Sequence, residues 1–361
     1  MKIGARQVGR GAPKGAYVIA EIGVNHDGDV DRALSLVDIA ADAGADAVKV
    51  QVFEAERLMS RAARLAVYQE NAGERDPIQM LRRLELPLRA MERIVERAHR
   101  RGVHAIATVF SVELVDGAAG LGFDAFKSAS PDIINRPLLE AMAGAGRPLI
   151  VSTGASTLSE VSRAAQWLAP IRERLAMLQC VSAYPTPDES AALGGIEAIA
   201  NATGLPTGYS DHTPGEDTGA MAVAAGACLL EKHLTYDRNA PGPDHAASLE
   251  GRAMRAYIDG ARRASRLDGE TLLRRGAPGL AATAQRVEKR VLEIERDVRL
   301  ASRQSLVAVR AMRAGETIRA ADLTIKRPGT GIEPWRRDEI VGRTLAADVD
   351  ADAPLSDGDL Q

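Results

Sequence analysis

Short runs of β-branched and other apolar residues recur along the chain, each followed by a stretch whose apolar positions return every three or four residues. Eight such runs predict strands at Tyr17–Gly23, Ala47–Phe53, Val103–Thr108, Phe123–Ser128, Pro148–Thr153, Leu175–Cys180, Thr207–Ser210 and Ala227–His233. The stretches between them predict helices, as over Asp29–Ala43, where Asp29 is an N-cap residue and Gly44 a stop signal. Alternation of this kind implies βα units on a parallel sheet, and eight units imply a closed (β/α)8 TIM barrel over residues 1–269. A doubly wound open sheet is the second reading, weakened because no G-x-G-x-x-G follows the first strand. Residues 270–300, with the charge run Arg286 to Arg290, predict a linker or solvated helix, and residues 301–361 a small separate module.

Composition narrows the function classes. Apolar residues make up 45% of the 361, aromatics only 3%, so a large core must be built from Ala, Val, Leu and Ile. A net charge of −3 gives no field for nucleic acid or an anionic membrane. Residues 1–15 are basic and Gly-rich without the apolar segment of a secretory signal, and no run reaches membrane-spanning length, which points to a cytoplasmic protein. Cys180 and Cys228, each inside an apolar run, are expected as buried reduced thiols.

Polar residues concentrate where a barrel carries its chemistry, at the C-terminal ends of the strands. These ends hold Glu21 with Asn25 and His26, Lys49 with Gln51, Thr108, Lys127 with Ser128 and Ser130, Ser152 with Thr153, Ser182 with Tyr184, Asp211 with His212, and Glu231 with His233. A lysine flanked by apolar strand residues, as in Val48-Lys49-Val50 and Phe126-Lys127-Ser128, must point into the barrel mouth or bury its charge at high cost. Two ammonium groups among hydroxyls suit a small, highly charged anion such as phosphate. A Schiff-base lysine is the alternative chemistry. A lone His near a strand end is usually an ordinary polar residue, but three of the six His fall between His212 and His245, among Asp211, Glu231 and Asp244. That clustering favours a site for a divalent cation such as Mn²⁺, Co²⁺ or Zn²⁺.

The ordered set Ala20-Glu21-Ile22-Gly23-Val24-Asn25-His26, Val48-Lys49-Val50-Gln51, Phe126-Lys127-Ser128-Ala129-Ser130, Tyr184-Pro185-Thr186-Pro187, Ser210-Asp211-His212-Thr213, Glu231-Lys232-His233 and Gly242-Pro243-Asp244-His245 resembles the sialic acid synthases. Arg303-Gln304-Ser305, Leu323-Thr324-Ile325-Lys326-Arg327-Pro328-Gly329 and Ile340-Val341-Gly342 extend the resemblance to the antifreeze-like SAF domain that ends those enzymes. The resemblance implies condensation of phosphoenolpyruvate with an N-acetylated amino sugar, N-acetylmannosamine or a 2,4-diacetamido-6-deoxy hexose. It assigns Lys49, Lys127, Thr108, Ser130, Ser152 and Ser210 to phosphoenolpyruvate, and His212 and His233 to Mn²⁺, with Mg²⁺ or Co²⁺ as alternatives. It assigns Gln51, Asn71, Ser182, Tyr184 and Asp244 to substrate, and Glu21 or Asp132 to activation of the attacking water. It further implies that Arg327 reaches the N-acetyl group from a partner subunit, in a domain-swapped homodimer. Ser130-Pro131-Asp132 stands where many members have Ser-Gly-Glu, and the Glu21 to His26 motif is closer to the neuraminate and legionaminate types than to the pseudaminate type. A non-catalytic carbohydrate-binding relative and a pyruvate aldolase are the alternative functions on this scaffold.

Overall fold

The computed structural model describes residues 1–361 but for the Arg275 side chain. Eight parallel strands close into a barrel: β1 Tyr17–Glu21, β2 Ala47–Val52, β3 His104–Val109, β4 Ala125–Ser128, β5 Leu149–Ser152, β6 Leu175–Cys180, β7 Thr207–Asp211 and β8 Leu229–His233, with β8 pairing back onto β1. Every strand expected from the sequence is present, with ends displaced by one or two residues. The barrel helices follow in order: α1 Val30–Ala43, α2 Leu88–Arg100, α3 Val112–Ala119, α4 Arg136–Gly144, α5 Leu158–Trp167, α6 Gly195–Thr203, α7 Thr218–Ala224 and α8 Gly251–Ala264. In α1 the Asp29 carboxylate accepts from the amides of Asp31 and Arg32, and Gly44 ends the helix in the left-handed region at φ 92°, which only glycine enters without strain.

Period two along the strands decides which residues enter the barrel. Tyr17, Ile19, Ala47, Ile106, Ala125, Ile150, Leu178 and Leu229 fill its interior as one apolar cluster. The antiparallel pair Lys2–Ile3 and Arg6–Gln7 adds Ile3 and Val8 to that cluster, which gives the N-terminal residues a structural role. At the next position of the same parity seven strands present a polar side chain and β6 presents Cys180, so the apolar floor is roofed by the candidate site. Outward-facing residues pack beneath α1–α8 in a second, larger cluster.

Two additions shape the mouth. Between β2 and α2, short helices at Ala55–Leu58, Val67–Asn71 and Pro77–Leu84 raise an apolar wall. The C-terminal module pairs β9 Ser305–Ala308 antiparallel with β10 Leu323–Lys326 around its own core, which includes Leu306, Ile318, Ile340 and Leu345. The stretch expected as a linker is mostly ordered helix, at Gly269–Arg275, Pro278–Ala284 and Arg296–Ser302. Arg286, Glu288 and Arg290 are exposed as the charge run suggests, whereas Lys289 is buried and donates to the Cys180 carbonyl at 3.3 Å.

Candidate active site

A cavity of about 940 Å³, open mouth included, lies at the C-terminal end of the barrel. Glu21, Lys49, Gln51, Thr108, Lys127, Ser130, Ser182, Tyr184, Ser210, His212, His233, Asp244 and Arg327 all line it. Sequence order scatters these residues over most of the chain. Strand closure brings them to one opening.

At the deep end, Lys49 Nζ donates to Thr108 Oγ1 at 2.9 Å and contacts the Glu21 carboxylate. Lys127 Nζ lies 2.9 Å from Glu231 Oε1, which also accepts from Ser210 Oγ at 3.1 Å and is 3.7 Å from Lys49 Nζ. Two lysines and two carboxylates therefore share a buried mouth, and their balance sets the local charges. Burial pushes Lys49 down to about 7, with Glu231 opposing and Lys127 assisting. Burial would raise Glu231, but Lys127 and Lys49 hold it at about 2. Hydroxyls complete the cradle: Ser130 Oγ donates to Ser152 Oγ at 2.9 Å and accepts from the Gly154 amide at 2.9 Å. A Cβ on Gly154 would clash with Ser182 Oγ and lie 2.8 Å from Ser130 Oγ, so glycine is needed for the backbone to approach these groups. Ser152 does not line the cavity and acts by holding Ser130.

At the other end the imidazoles of His212 and His233 have centroids 5.5 Å apart, with Tyr184 against His212 at 4.1 Å. His212 Nδ1 is 2.8 Å from the Val181 carbonyl, which can only accept, so Nδ1 carries a proton and Nε2 is the nitrogen left to bind a cation. That backbone partner is the outer-shell arrangement of a metal-bound imidazole. His233 is kept well below the usual imidazole range by burial and by the nearby His212 and Lys49. Its Nδ1 is buried without a hydrogen-bond partner, 3.8 Å from Asp244 Oδ2. His233 is neutral, whereas at His212 burial is outweighed by Cys180 and the Val181 carbonyl, which raise its pKa, so a divalent cation bound here would take His212 Nε2 in place of a proton. Among the described residues no three His, Cys, Asp or Glu side chains form a full cage, so further positions would fall to substrate or water.

Behind the imidazoles, opposite strand parity points Asp211 and Lys232 outward, and the two are register partners across β7 and β8. Lys232 Nζ lies 3.1 Å from Asp211 Oδ2, also donates to the Thr213 carbonyl, and sits over the Tyr257 ring, with neither charged side chain exposed. Removing one member of such a buried pair leaves an uncompensated charge. Lys232→Ala is therefore expected to lower unfolding free energy by about 3–5 kcal/mol, read from urea denaturation. An unchanged midpoint and slope would refute the assignment.

Three expected site residues lie off the cavity: Ser152, described above, Asn71 and Asp132. Asn71 is exposed and lies off the cavity; it is the last residue of Val67–Asn71, and that helix turns Tyr68 and Gln69 inward instead, with Tyr68 stacked on Tyr184 at 4.8 Å. Asp132 is fully buried in the turn Ser130–Ile134, does not line the cavity, and has both carboxylate oxygens unpartnered. Burial lifts its pKa to about 7 against Arg327, Arg303 and Lys127. Of the two carboxylates offered as a base, Glu21 is the one on the cavity. Arg327 overhangs the mouth as expected: its amide donates to the Leu58 carbonyl at 2.9 Å, and its carbonyl accepts from the Ser60 amide at 3.1 Å. Backbone pairing of Met59 with Arg327 seats the module against the barrel mouth. Glu231, expected at a strand end but given no role by the resemblance, and Tyr68, not expected at all, both line the cavity. Inward parity with His233 carries the signal for Glu231. Nothing local carries one for Tyr68. Cys180 and Cys228 are both buried and free.

Comparison with known proteins agrees with this geometry. The chain is 36% identical over 335 residues to an N,N'-diacetyllegionaminic acid synthase of Campylobacter jejuni, covering 91% of this chain and 96% of that protein. It is 36% identical over 353 residues to a protein of the same name from Legionella pneumophila, with 96% and 95% covered. The crystal structure of spore coat polysaccharide biosynthesis protein SpsE from Bacillus subtilis superposes with a TM-score of 0.83 at 29% identity, covering 100% of this chain and 99% of that one. Residues 36–272 match the NeuB family model and residues 303–361 the SAF domain model, and the chain belongs to the NeuB family.

Proposed function

We propose that the chain condenses phosphoenolpyruvate with an N-acetylated amino sugar, giving a nine-carbon 3-deoxy-2-ketoacid and inorganic phosphate. The observation that carries this reading is the pairing, in one cavity, of the Lys49–Lys127 hydroxyl cradle with the His212–His233 imidazole pair at the other end. Lys49, Lys127, Thr108, Ser130, Ser182 and Ser210 hold the phosphate through charge-assisted hydrogen bonds. His212 and His233 would hold a divalent ion, Mn²⁺ before Mg²⁺ or Co²⁺, which when bound supplies Lewis-acid polarisation of the sugar aldehyde. Tyr184, Gln51 and Asp244 orient the sugar, and Arg327 closes the mouth over its N-acetyl end. Carbon 3 of the enol attacks the aldehyde carbon, whose oxygen takes up a proton. Water adds to the cationic carbon 2 and gives its proton to Glu21, and phosphate departs with C–O cleavage. Fixing both substrates in line accounts for about 7–11 kcal/mol of the barrier, so most of the constellation positions rather than reacts.

Of the two sugar classes, the 2,4-diacetamido-6-deoxy hexose fits better. Val24, Phe53, Leu58, Met80, Leu81, Leu84 and Phe110 give the cavity an apolar wall, which suits methyl groups rather than a ring of free hydroxyls. The relatives named for a diacetylated product point the same way. A cytoplasmic enzyme is consistent with the absence, among the described residues, of any helix long and apolar enough to cross a membrane. The assembly that goes with this reading is the domain-swapped homodimer, in which the Arg327 contact is made between subunits.

The test is phosphate release from phosphoenolpyruvate with Mn²⁺ across N-acetylmannosamine, its 6-phosphate and 2,4-diacetamido-6-deoxy hexoses. Release that requires a diacetamido sugar and stops with EDTA is expected. Release without any sugar, or a borohydride-trapped lysine adduct with pyruvate, would replace the synthase with another chemistry. Because Lys49 titrates at about 7, KM for phosphoenolpyruvate should rise as pH increases above that value, while kcat at saturation changes less. A pH-independent KM between pH 6 and about 9 would show that Lys49 keeps its charge across that range.

A further inference from the structure

The segment between the barrel and the terminal module, outside both family matches, holds a buried carboxylate with an unusual set of partners. Glu295 is 1% exposed, and its Oε1 accepts from the Ala155 amide at 2.6 Å and from the Ser182 amide at 2.8 Å. One oxygen thus ties together the loops that follow β5 and β6. Its other oxygen accepts from the Leu292 amide at 2.9 Å, which anchors the carboxylate to its own turn.

Ala155 is the residue that requires such a hold. Its φ of 49° is in the left-handed region, where a side chain is strained. Its amide is held by Glu295, and its carbonyl accepts from Arg303 Nη2 at 3.0 Å and from the Arg299 guanidinium. Glu160 in turn fixes both arginines, with Arg299 Nη2 at 2.8 Å and Arg303 Nη1 at 3.3 Å. Immediately before Ala155 stands Gly154, whose amide donates to Ser130 in the anion cradle. Ser182, on the other arm, lines the cavity.

We infer that Glu295, with Arg299 and Arg303, is a positioning clamp: it holds Ala155 in its strained turn and so sets the Gly154–Ser130–Ser182 side of the phosphoenolpyruvate site. The segment is therefore part of the active-site scaffold and more than a tether for the terminal module. This inference rests on the anion-site reading given above.

Phosphoenolpyruvate titrations on the full-length protein test it. Glu295→Ala should weaken phosphoenolpyruvate binding about 10- to 100-fold, since charge-assisted bonds to two amides are lost. KM for the sugar and Mn²⁺ affinity should stay unchanged. Glu295→Gln, which keeps an acceptor oxygen, should fall between. The decisive variant is Ala155→Gly on the Glu295→Ala background, because glycine adopts the left-handed turn without help and should restore affinity to within about threefold of Ala155→Gly alone. Wild-type affinity in Glu295→Ala would overturn the clamp alone, as would a double variant as weak as the single one. No phosphoenolpyruvate binding by the unmodified protein would overturn the anion-site reading and the clamp with it.

Discussion

Replacing His233 with alanine should reduce condensation by at least about a thousandfold, the scale expected when several kcal/mol of charge stabilisation at the aldehyde oxygen is removed. The loss should appear in kcat, and phosphoenolpyruvate affinity should hold, because the anion cradle is built from other strands. His233 is buried, neutral and without a hydrogen-bond partner at Nδ1, so alanine there breaks no observed hydrogen bond. His212→Ala should act alike on turnover but also release the Val181 carbonyl that its Nδ1 engages. EDTA should inactivate the unmodified protein, with activity restored by Mn²⁺, and Mn²⁺ bound per chain, followed by electron paramagnetic resonance, should fall in both variants. Full turnover after chelation, or undiminished Mn²⁺ binding by His233→Ala, would remove the metal from the site.

Lys127→Ala should act at the opposite end of the cavity. Truncating one member of a buried, hydrogen-bonded charge pair weakens binding by about 2–5 kcal/mol, roughly 30-fold or more in Kd for phosphoenolpyruvate. Two effects add here. The phosphate loses a cation, and Glu231, held at about 2 largely by Lys127, is left as a buried carboxylate with Lys49 farther away. Sugar affinity should be little changed. A variant whose sugar KM alone moves would contradict the phosphate role. Combining Lys127→Ala with Glu231→Gln should recover part of the loss, since the second change removes the charge that the first leaves unpaired.

Strand parity explains why so much of this site was legible in the sequence. Once Val48-Lys49-Val50 and Phe126-Lys127-Ser128 read as strand interiors, period two places both lysines inward on the same layer as Glu21, Thr108, Ser152 and Ser210. Barrel closure follows from the count of βα units, and the end of each strand from the residue where apolar alternation stops. The Asp29 cap and Gly44 stop of α1 were equally local, because each depends on hydrogen bonds within one or two turns.

Contacts between distant segments were decided elsewhere. Alternation places Glu231 inward, yet only the closed barrel brings it within reach of Lys127, which lies 104 residues earlier, and so fixes both their charges. Local pattern could not tell that the helix Val67–Asn71 turns Tyr68 rather than Asn71 to the cavity, since the packing of the β2–α2 insertion decides that. Asp132 looks from sequence like any polar turn residue, and burial alone withdraws it from the cavity and lifts its pKa. That Arg327 reaches the barrel mouth depends on a backbone bridge to Met59, and the importance of Glu295 on amides at Ala155 and Ser182. The sequence by itself thus determined the elements, their order and the inward polar set, because those follow from short-range periodicity. The tertiary structure alone decided which of those groups meet, because pairing, desolvation and module placement depend on contacts across a hundred or more residues.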